Sequence, residues 1–332
     1  MAKIQDVAAA AGVSKTTVSY VFSPQKSMLI SPETREKVLA EAMKLGYRPS
    51  FFGKVLSQKR SFNIALILPA RSARSMSRTL LWLFHGIVRK AEGSEYNVSV
   101  FFGASKRFFN RTSDGRFDGV IVLGIGSDTT ALDKIAALDL PMVVANRHYP
   151  VGEKCSCIHS DIGGWVIREA ERMLQMNCRN ILLLNKGGYS AAGKAVKDVF
   201  ERVEQSVVKK SCKIDYVEIG NNLSSQVYEL FHNNRYDGII INSNQGSEVV
   251  NALHMHRLVP ARDVLLSGFA REQSMLMLGL DWYSDALTMG EKSWDMLMNL
   301  LNGGKSEYTI LPIVHEIFAN NERPSPSDGF DI

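Results

Sequence analysis

Apolar positions in the first sixty residues recur at helical spacing. Ile4, Val7, Ala8 and Ala11 fall on one face of a helix that Gly12 stops. Ser14 is placed to cap a second helix over residues 15 to about 22, with Val18 and Val21 turned inward. Ser31 and Pro32 open a third helix, a capping residue followed by proline at the first helical position. Val38, Leu39, Ala42 and Leu45 form its apolar stripe, Gly46 ends it, and Pro49 breaks the chain before a short basic segment. From Phe62 the pattern changes. Short apolar runs at 64–68, 98–102, 120–123, 142–145, 181–184, 216–219, 238–241 and 264–267 predict strands, and Cys155 and Cys157 fall on a further strand with both thiols on one side. Amphipathic stretches at 79–91, 165–176, 192–207 and 247–256 predict helices between them. Apolar strands separated by helices form parallel sheets covered on both faces. A break near residue 160 divides these strands into two lobes.

Composition narrows the class. The chain has 332 residues, 45% of them hydrophobic and 22% charged, enough for two or three folded units with apolar cores. No apolar stretch reaches the ~18 residues of a membrane helix. The opening Met1-Ala2-Lys3-Ile4-Gln5-Asp6 lacks the apolar centre of an export signal, and four cysteines show no disulfide framework. A cytoplasmic protein is expected. The net charge of +5 becomes informative once located: residues 1–60 hold ten Lys and Arg against four acids, a net +6, and the rest of the chain carries −1. That is the pattern of a nucleic-acid-binding head on a neutral body. A solvated basic face without a partner would show the same charge.

The sharpest motif is helix–Gly12-Val13-Ser14–helix. A helix-turn-helix needs a tight turn so that its second helix can project into the major groove. Gly12 permits the turn, Val13 packs into the angle and Ser14 caps the next helix. Lys15, Thr16, Thr17, Ser19 and Tyr20 are left exposed, and all can hydrogen-bond to DNA.

The segments IQDVAAAAGVSKTTVSYVFS and SPETREKVLAEAMKLGYRPS together resemble the DNA-binding head of the LacI/GalR transcription regulators. The resemblance continues through NIALILP, RFDGVIVLG, LPMVVANR and DVLLSGF, which fall in the family's order along nearly the whole chain. It implies a small all-α helix-turn-helix head joined to an α/β body of two lobes with parallel sheets, like a periplasmic sugar-binding protein. The implied divisions are a head at 1–48, a hinge helix and linker at 49–61 and a body at 62–319, with a loose tail at 320–332. Lobe one takes about 62–160 and 285–308, and lobe two about 161–284 and 309–319. Lys15, Thr16 and Tyr20 match positions where the family reads base edges, and Thr17 and Ser19 match phosphate contacts. Residues 50–57, with Ser50 and Lys54, match the hinge helix, and Leu56 matches the leucine that wedges into the minor groove. Ser50 replaces the commoner Asn. Gly53 inside that helix costs ~1 kcal/mol against Ala and makes the hinge reluctant to fold without DNA.

The effector pocket departs further from the family. Ala270-Arg271 follows Gly268-Phe269 where an Asp is common, Asn242-Ser243 stands for an Asn-Asp pair, and Ile162 follows Asp161 where Asn is common. Asn146 and Arg147 match a pocket wall, Lys194 or Lys197 stands near a usual arginine, and Trp282 falls where it stacks on a flat ligand or fills the core. The implied effector is a sugar or sugar-derived molecule. Arg147 and Arg271 favour an anionic one, a sugar acid or sugar phosphate, or else a pocket with no physiological effector; an ordinary sugar held by Asp161 and Asp281 is the alternative. Residues 103–118 run short, so one helix of lobe one is truncated. The resemblance implies a cytoplasmic homodimer that binds near-palindromic double-stranded operator DNA and represses carbohydrate-related genes.

Other classes fit poorly. Gly124-Ile125-Gly126 lacks a third glycine and a phosphate-binding sequel. His254 and His256, two apart on a helix, face apart and cannot share a metal. Cys155 and Cys157 read as buried reduced thiols. No acid, base or nucleophile converges, so no enzyme, cofactor or metal is expected. The competing class is a small-molecule binding protein of the periplasmic type with no gene-regulatory role. It would need an export signal and would not carry Lys15, Thr16 and Tyr20 on a helix-turn-helix.

Overall fold

A computed structural model describes residues 2–23, 26–70, 76, 78–124, 129–185, 213–219, 223–242, 246–260, 262–268, 282–284 and 286–315. Its two units are Met1–Phe62 and Asn63–Ile332. The first holds α1 (Ile4–Ala11), α2 (Lys15–Val21), a 3-10 turn (Ser27–Leu29), α3 (Pro32–Lys44) and α4 (Phe51–Gln58). Gly12 takes the left-handed conformation at φ 64°, and Val13 N donates back to Ala8 O at 3.0 Å, which closes α1 and reverses the chain. Ser14 Oγ then accepts from Thr17 N at 3.0 Å and starts α2. Ser31 caps α3 in the same way, through Thr34 N at 3.3 Å. Val7, Ala8, Ala11, Val18, Val21, Val38 and Ala42 form a small shared core, with Phe22 set edge-on to Tyr47 at its rim.

The stripe expected on α3 is narrower in the structure. Val38 and Ala42 are buried, but Leu39 and Leu45 are each 41% exposed. So small a core is filled by one i, i+4 pair from α3 and leaves its flanking leucines on the rim.

The second unit begins with β1 (Asn63–Leu68), α5 (Arg78–Glu92), β2 (Asn97–Phe102), α6 (Lys106–Ser113) and β3 (Gly119–Leu123). α7 (Thr130–Ala136), β4 (Met142–Ala145) and β5 (Cys155–Ser160) follow. The order continues with α8 (Ile162–Gln175), β6 (Asn180–Asn185), β7 (Lys213–Glu218), α9 (Leu223–Asn233), β8 (Gly238–Asn242), α10 (Gly246–Met255) and β9 (Leu265–Gly268). β10 (Trp282–Ser284), α11 (Ala286–Leu301), β11 (Tyr308–Leu311) and β12 (Ile313–His315) complete it. One parallel sheet runs β11-β5-β4-β3-β1-β2 and a second runs β7-β6-β8-β9; β10 and β12 pair antiparallel. The described strands thus form two parallel sheets, of six and four, and one antiparallel pair, with the division near residue 160.

Strand alternation explains why helices cover both faces. Ile64, Leu66 and Leu68 pack with α5 and α11, whereas Ala65 and Ile67 pack with Phe108 of α6 and Leu132 and Ile135 of α7. In the second sheet Leu182 and Leu184 join α9 and α10, and Ile181 and Leu183 join α8. Each sheet is therefore buried on both sides, which is why its strands read as unbroken apolar runs. β5 and β11 are the two strands of the first sheet from which the chain leaves: Asp161 follows β5 into α8, and Ile313, after β11, packs in the core beside Trp165.

Candidate nucleic-acid interface

On α2, Val18 and Val21 face the core, Lys15, Thr16 and Ser19 are exposed, and Thr17 and Tyr20 are half-buried. The five residues singled out from sequence therefore lie on the solvent side of one short helix. Their local partners differ. Thr17 Oγ1 lies 2.9 Å from Ser14 Oγ, within the cap itself. Lys15 Nζ reaches Gln5 Oε1 only at 3.4 Å. Lys26, which the sequence reading passed over, sets its ammonium 4.9 Å above the Tyr20 ring and so restrains where the phenol points. The signal for Lys26 was its charge six residues beyond Tyr20, but only folding of the turn brings the two together.

α4 is helical in this structure. Its first turn packs on the head's own Phe62: the Phe51 and Phe62 rings lie 6.0 Å apart, and Lys54 Nζ sits 4.5 Å over the Phe62 ring. Those contacts tie the start of α4 to the end of the same unit. Ser50 precedes the helix without a side-chain capping bond, and Lys59 ends it at φ 53°. Leu56 is 80% exposed, an apolar side chain held in water on a formed helix.

In the second unit the pocket candidates gather at the carboxyl ends of parallel strands, where open α/β sheets bind ligands. Asn146 follows β4 in the left-handed conformation, φ 60°, against Gly124. Arg147 is buried, its carbonyl accepting from the Cys157 thiol at 3.2 Å. Its charge draws down the Cys157 thiol and the Tyr149 phenol, although burial leaves both raised. Asp161 caps α8 by accepting from Gly164 N at 2.9 Å and meets Arg168 Nη1 at 3.1 Å. Arg168 also reaches Ile313 O at 3.4 Å, so Asp161 and Arg168 span the two crossing points of the chain. Asn242 Nδ2 donates to Asn185 Oδ1, and Asn185 Nδ2 donates to Tyr216 Oη, both at 2.8 Å. Asn185 was missed from sequence; its signal was a polar residue closing an apolar strand, at a position fully buried here.

Lys194 and Arg271 lie outside the described residues. So do Lys197, Ser243, Ala270, Asp281, the helix expected at 192–207 and the tail at 320–332. Trp282 opens β10, and only its backbone is described. Segment 103–118 holds the eight-residue α6. Cys155 and Cys157 are free and buried, and burial with the neighbouring Cys157 pushes the Cys155 thiol up to about 12. Both thiols stay protonated at neutral pH. No helix among the described residues is long and apolar enough to cross a membrane.

Residues 3–50 match the family described as bacterial regulatory proteins, lacI family. Over 336 residues the chain is 23% identical to the HTH-type transcriptional regulator RegA of Clostridium saccharobutylicum, covering 95% of this chain and 97% of that one. It is 26% identical over 220 residues to catabolite control protein A of Staphylococcus xylosus, covering 64% of this chain and 63% of the relative. It is 30% identical over 150 residues to the transcriptional repressor PurR of Photobacterium profundum, covering 43% of each. The match thus spans less than two thirds of the latter two relatives and nearly all of RegA. Among solved structures, the lac repressor dimer bound to operator and the anti-inducer ONPF gives a TM-score of 0.70 at 18% identity, covering 94% of this chain and 96% of that one. The transcriptional regulator CelR in complex with cellobiose gives 0.64 at 18% identity, covering 96% and 99%. At that identity the likeness carries the fold: a helix-turn-helix head followed by an α/β body with parallel sheets.

Proposed function

We infer that this chain, which belongs through its head to the lacI family of bacterial regulatory proteins, is a sequence-specific, ligand-responsive transcription regulator. It acts as a repressor of carbohydrate-related genes. The observation that carries this is α2, capped by Ser14 and presenting Lys15, Thr16, Ser19 and Tyr20 outward within the matched segment. In the major groove a short polar helix reads donor and acceptor patterns on base edges. Lys15, Thr16 and Tyr20 take that role, Thr17, Ser19, Ser50 and Lys54 hold backbone phosphates, and Leu56 inserts into the minor groove.

The working divisions are the head at 1–48, the hinge at 49–61, the two-lobed body at 62–319 and the tail at 320–332. The active form is a cytoplasmic homodimer on a near-palindromic operator, each head taking one half-site. Leu81 and Trp82 of α5 are exposed, as are Val100 and Phe102 on edge strand β2. The two β2 residues share a face with Val98, which packs in the α5 core, and a second copy would cover such exposed apolar side chains. The effector, a sugar or sugar-derived molecule, lies at the strand ends near Asn146, Arg147, Asp161, Lys194, Asn242, Arg271 and Trp282. Arg147 and Arg271 favour an anionic one. The protein is a binding protein and no enzyme; coupling requires only that ligand affinity differ between DNA-bound and free forms.

Selection of bound duplexes from a random pool tests this reading. A near-palindromic consensus, weakened or strengthened by an added metabolite fraction, is expected. Recovery of unenriched sequence at low salt would leave only non-specific charge attraction and refute it.

A further inference from the structure

Three ring side chains to which no role has yet been given converge at the β5–β11 edge of the six-stranded sheet. His159 stands on β5 and Tyr308 on β11, on the same face, because Tyr308 pairs with Cys157 and Ile310 with His159. His148 comes from the loop between β4 and β5. The His148 and His159 centroids are 5.9 Å apart, His159 and Tyr308 5.5 Å, and His148 and Tyr308 5.7 Å, each pair edge-on. Nδ1 of His159 lies 3.0 Å from the Ser160 carbonyl oxygen, which can only accept, so Nδ1 carries the proton. Nε2 is then the lone-pair nitrogen and accepts from Tyr308 Oη at 2.8 Å.

We propose that His148, His159 and Tyr308 form a binding site for a borderline transition-metal dication of the zinc or copper(II) kind. A metal-ligating histidine characteristically donates its other ring N–H to a carbonyl, which fixes tautomer and orientation. His159 is already held in that state. With metal–nitrogen bonds near 2.0 Å, two imidazoles on one tetrahedral ion have centroids roughly 5 Å apart. The 5.9 Å between the His148 and His159 centroids is close to that separation, and binding requires exposed His148 to turn a ring nitrogen toward the ion. Tyr308 Oη leaves Nε2, loses its proton to solvent and becomes the oxygen donor, and water completes the shell. No third His, Cys, Asp or Glu joins the group among the described residues, so the metals that suit it are those favouring imidazole rather than carboxylate cages. A bound ion would tie the loop after β4 to β5 and β11, the strands from which the chain leaves this sheet. The proposal does not depend on DNA binding.

Titrating the metal-free full chain with zinc or copper(II), by calorimetry and by paramagnetic resonance of the copper form, tests it. One equivalent is expected, with coupling to two nitrogens and a phenolate-to-copper charge-transfer band. His148→Ala should weaken binding roughly tenfold or more. Tyr308→Phe should abolish the band and keep the nitrogen couplings, and His85→Ala should change nothing. Wild-type affinity and spectra in both His148→Ala and Tyr308→Phe would overturn the site.

Discussion

Ser14 shows how much one side chain decides. Its hydroxyl satisfies an amide at the start of α2 and so fixes the helix on which Lys15, Thr16 and Tyr20 are displayed. Ser14→Ala is expected to lower head stability by ~1 kcal/mol, read as an earlier unfolding transition in denaturant. An unchanged transition would mean that core packing alone sets α2. Buried thiols give a second residue-scale expectation. The Cys155 thiol ionises near an ordinary 9.0 in the unfolded chain and about 12 in the fold. Up to pH 9 its contribution to stability is intact; between 9 and 12 the unfolded chain ionises first and that contribution is lost. Unfolding followed across this window should show the fall, and Cys155→Ala should blunt it. Sequence marked the residues of α2 because exposure there follows from helical period. It could not mark Lys26 over Tyr20, or Asn185 beneath Asn242, because those contacts join segments whose meeting depends on turn geometry and sheet register.

At the scale of elements, two glycines on helices have opposite expected effects. Beside Gly53 a new Cβ would meet only Ser50 Cβ at 3.8 Å, ordinary contact, so Gly53→Ala should stabilise α4 by up to about 1 kcal/mol and tighten operator binding. Gly290 lies where α11 crosses α5, and a Cβ there would collide with the Leu83 carbonyl. Gly290→Ala should therefore destabilise the body by about 1–3 kcal/mol, as overpacking does, measured by thermal unfolding. Seven of the eight strand positions predicted from apolar runs fall within a residue of observed strands, because strands buried on both faces carry little polar interruption. The eighth was expected at 216–219, but β7 is Lys213–Glu218. β7 and β11 are edge strands and only partly buried, so their patterns are weak. Leu56→Ala should reduce DNA bending in a circular-permutation assay, and equal bends would remove the wedge from the account.

For the whole molecule, two parallel sheets joined at β5 and β11 were legible as a break near residue 160, whereas the return of residues 285–308 to lobe one came from the family resemblance and not from the periodicity. That return depends on which strand edge is open, and sequence order does not reveal it. The exposed Asp161–Arg168 pair at the crossing adds little stability of its own. Ligand coupling is instead expected to appear as stabilisation of the body: a true effector at ~100 times its Kd should add ~2.7 kcal/mol in a thermal-shift screen. Sugar acids and phosphates are expected to act, and stabilisation by neutral sugars alone would contradict the anionic preference.

Whether α2 reads base edges is settled by repeating the random-pool selection with Tyr20→Ala beside the wild type. A changed preference at one or two positions of each half-site is expected, worth ~1–3 kcal/mol per lost contact, with half-site spacing unchanged. Recovery of the wild-type consensus by Tyr20→Ala, at undiminished affinity, would contradict it.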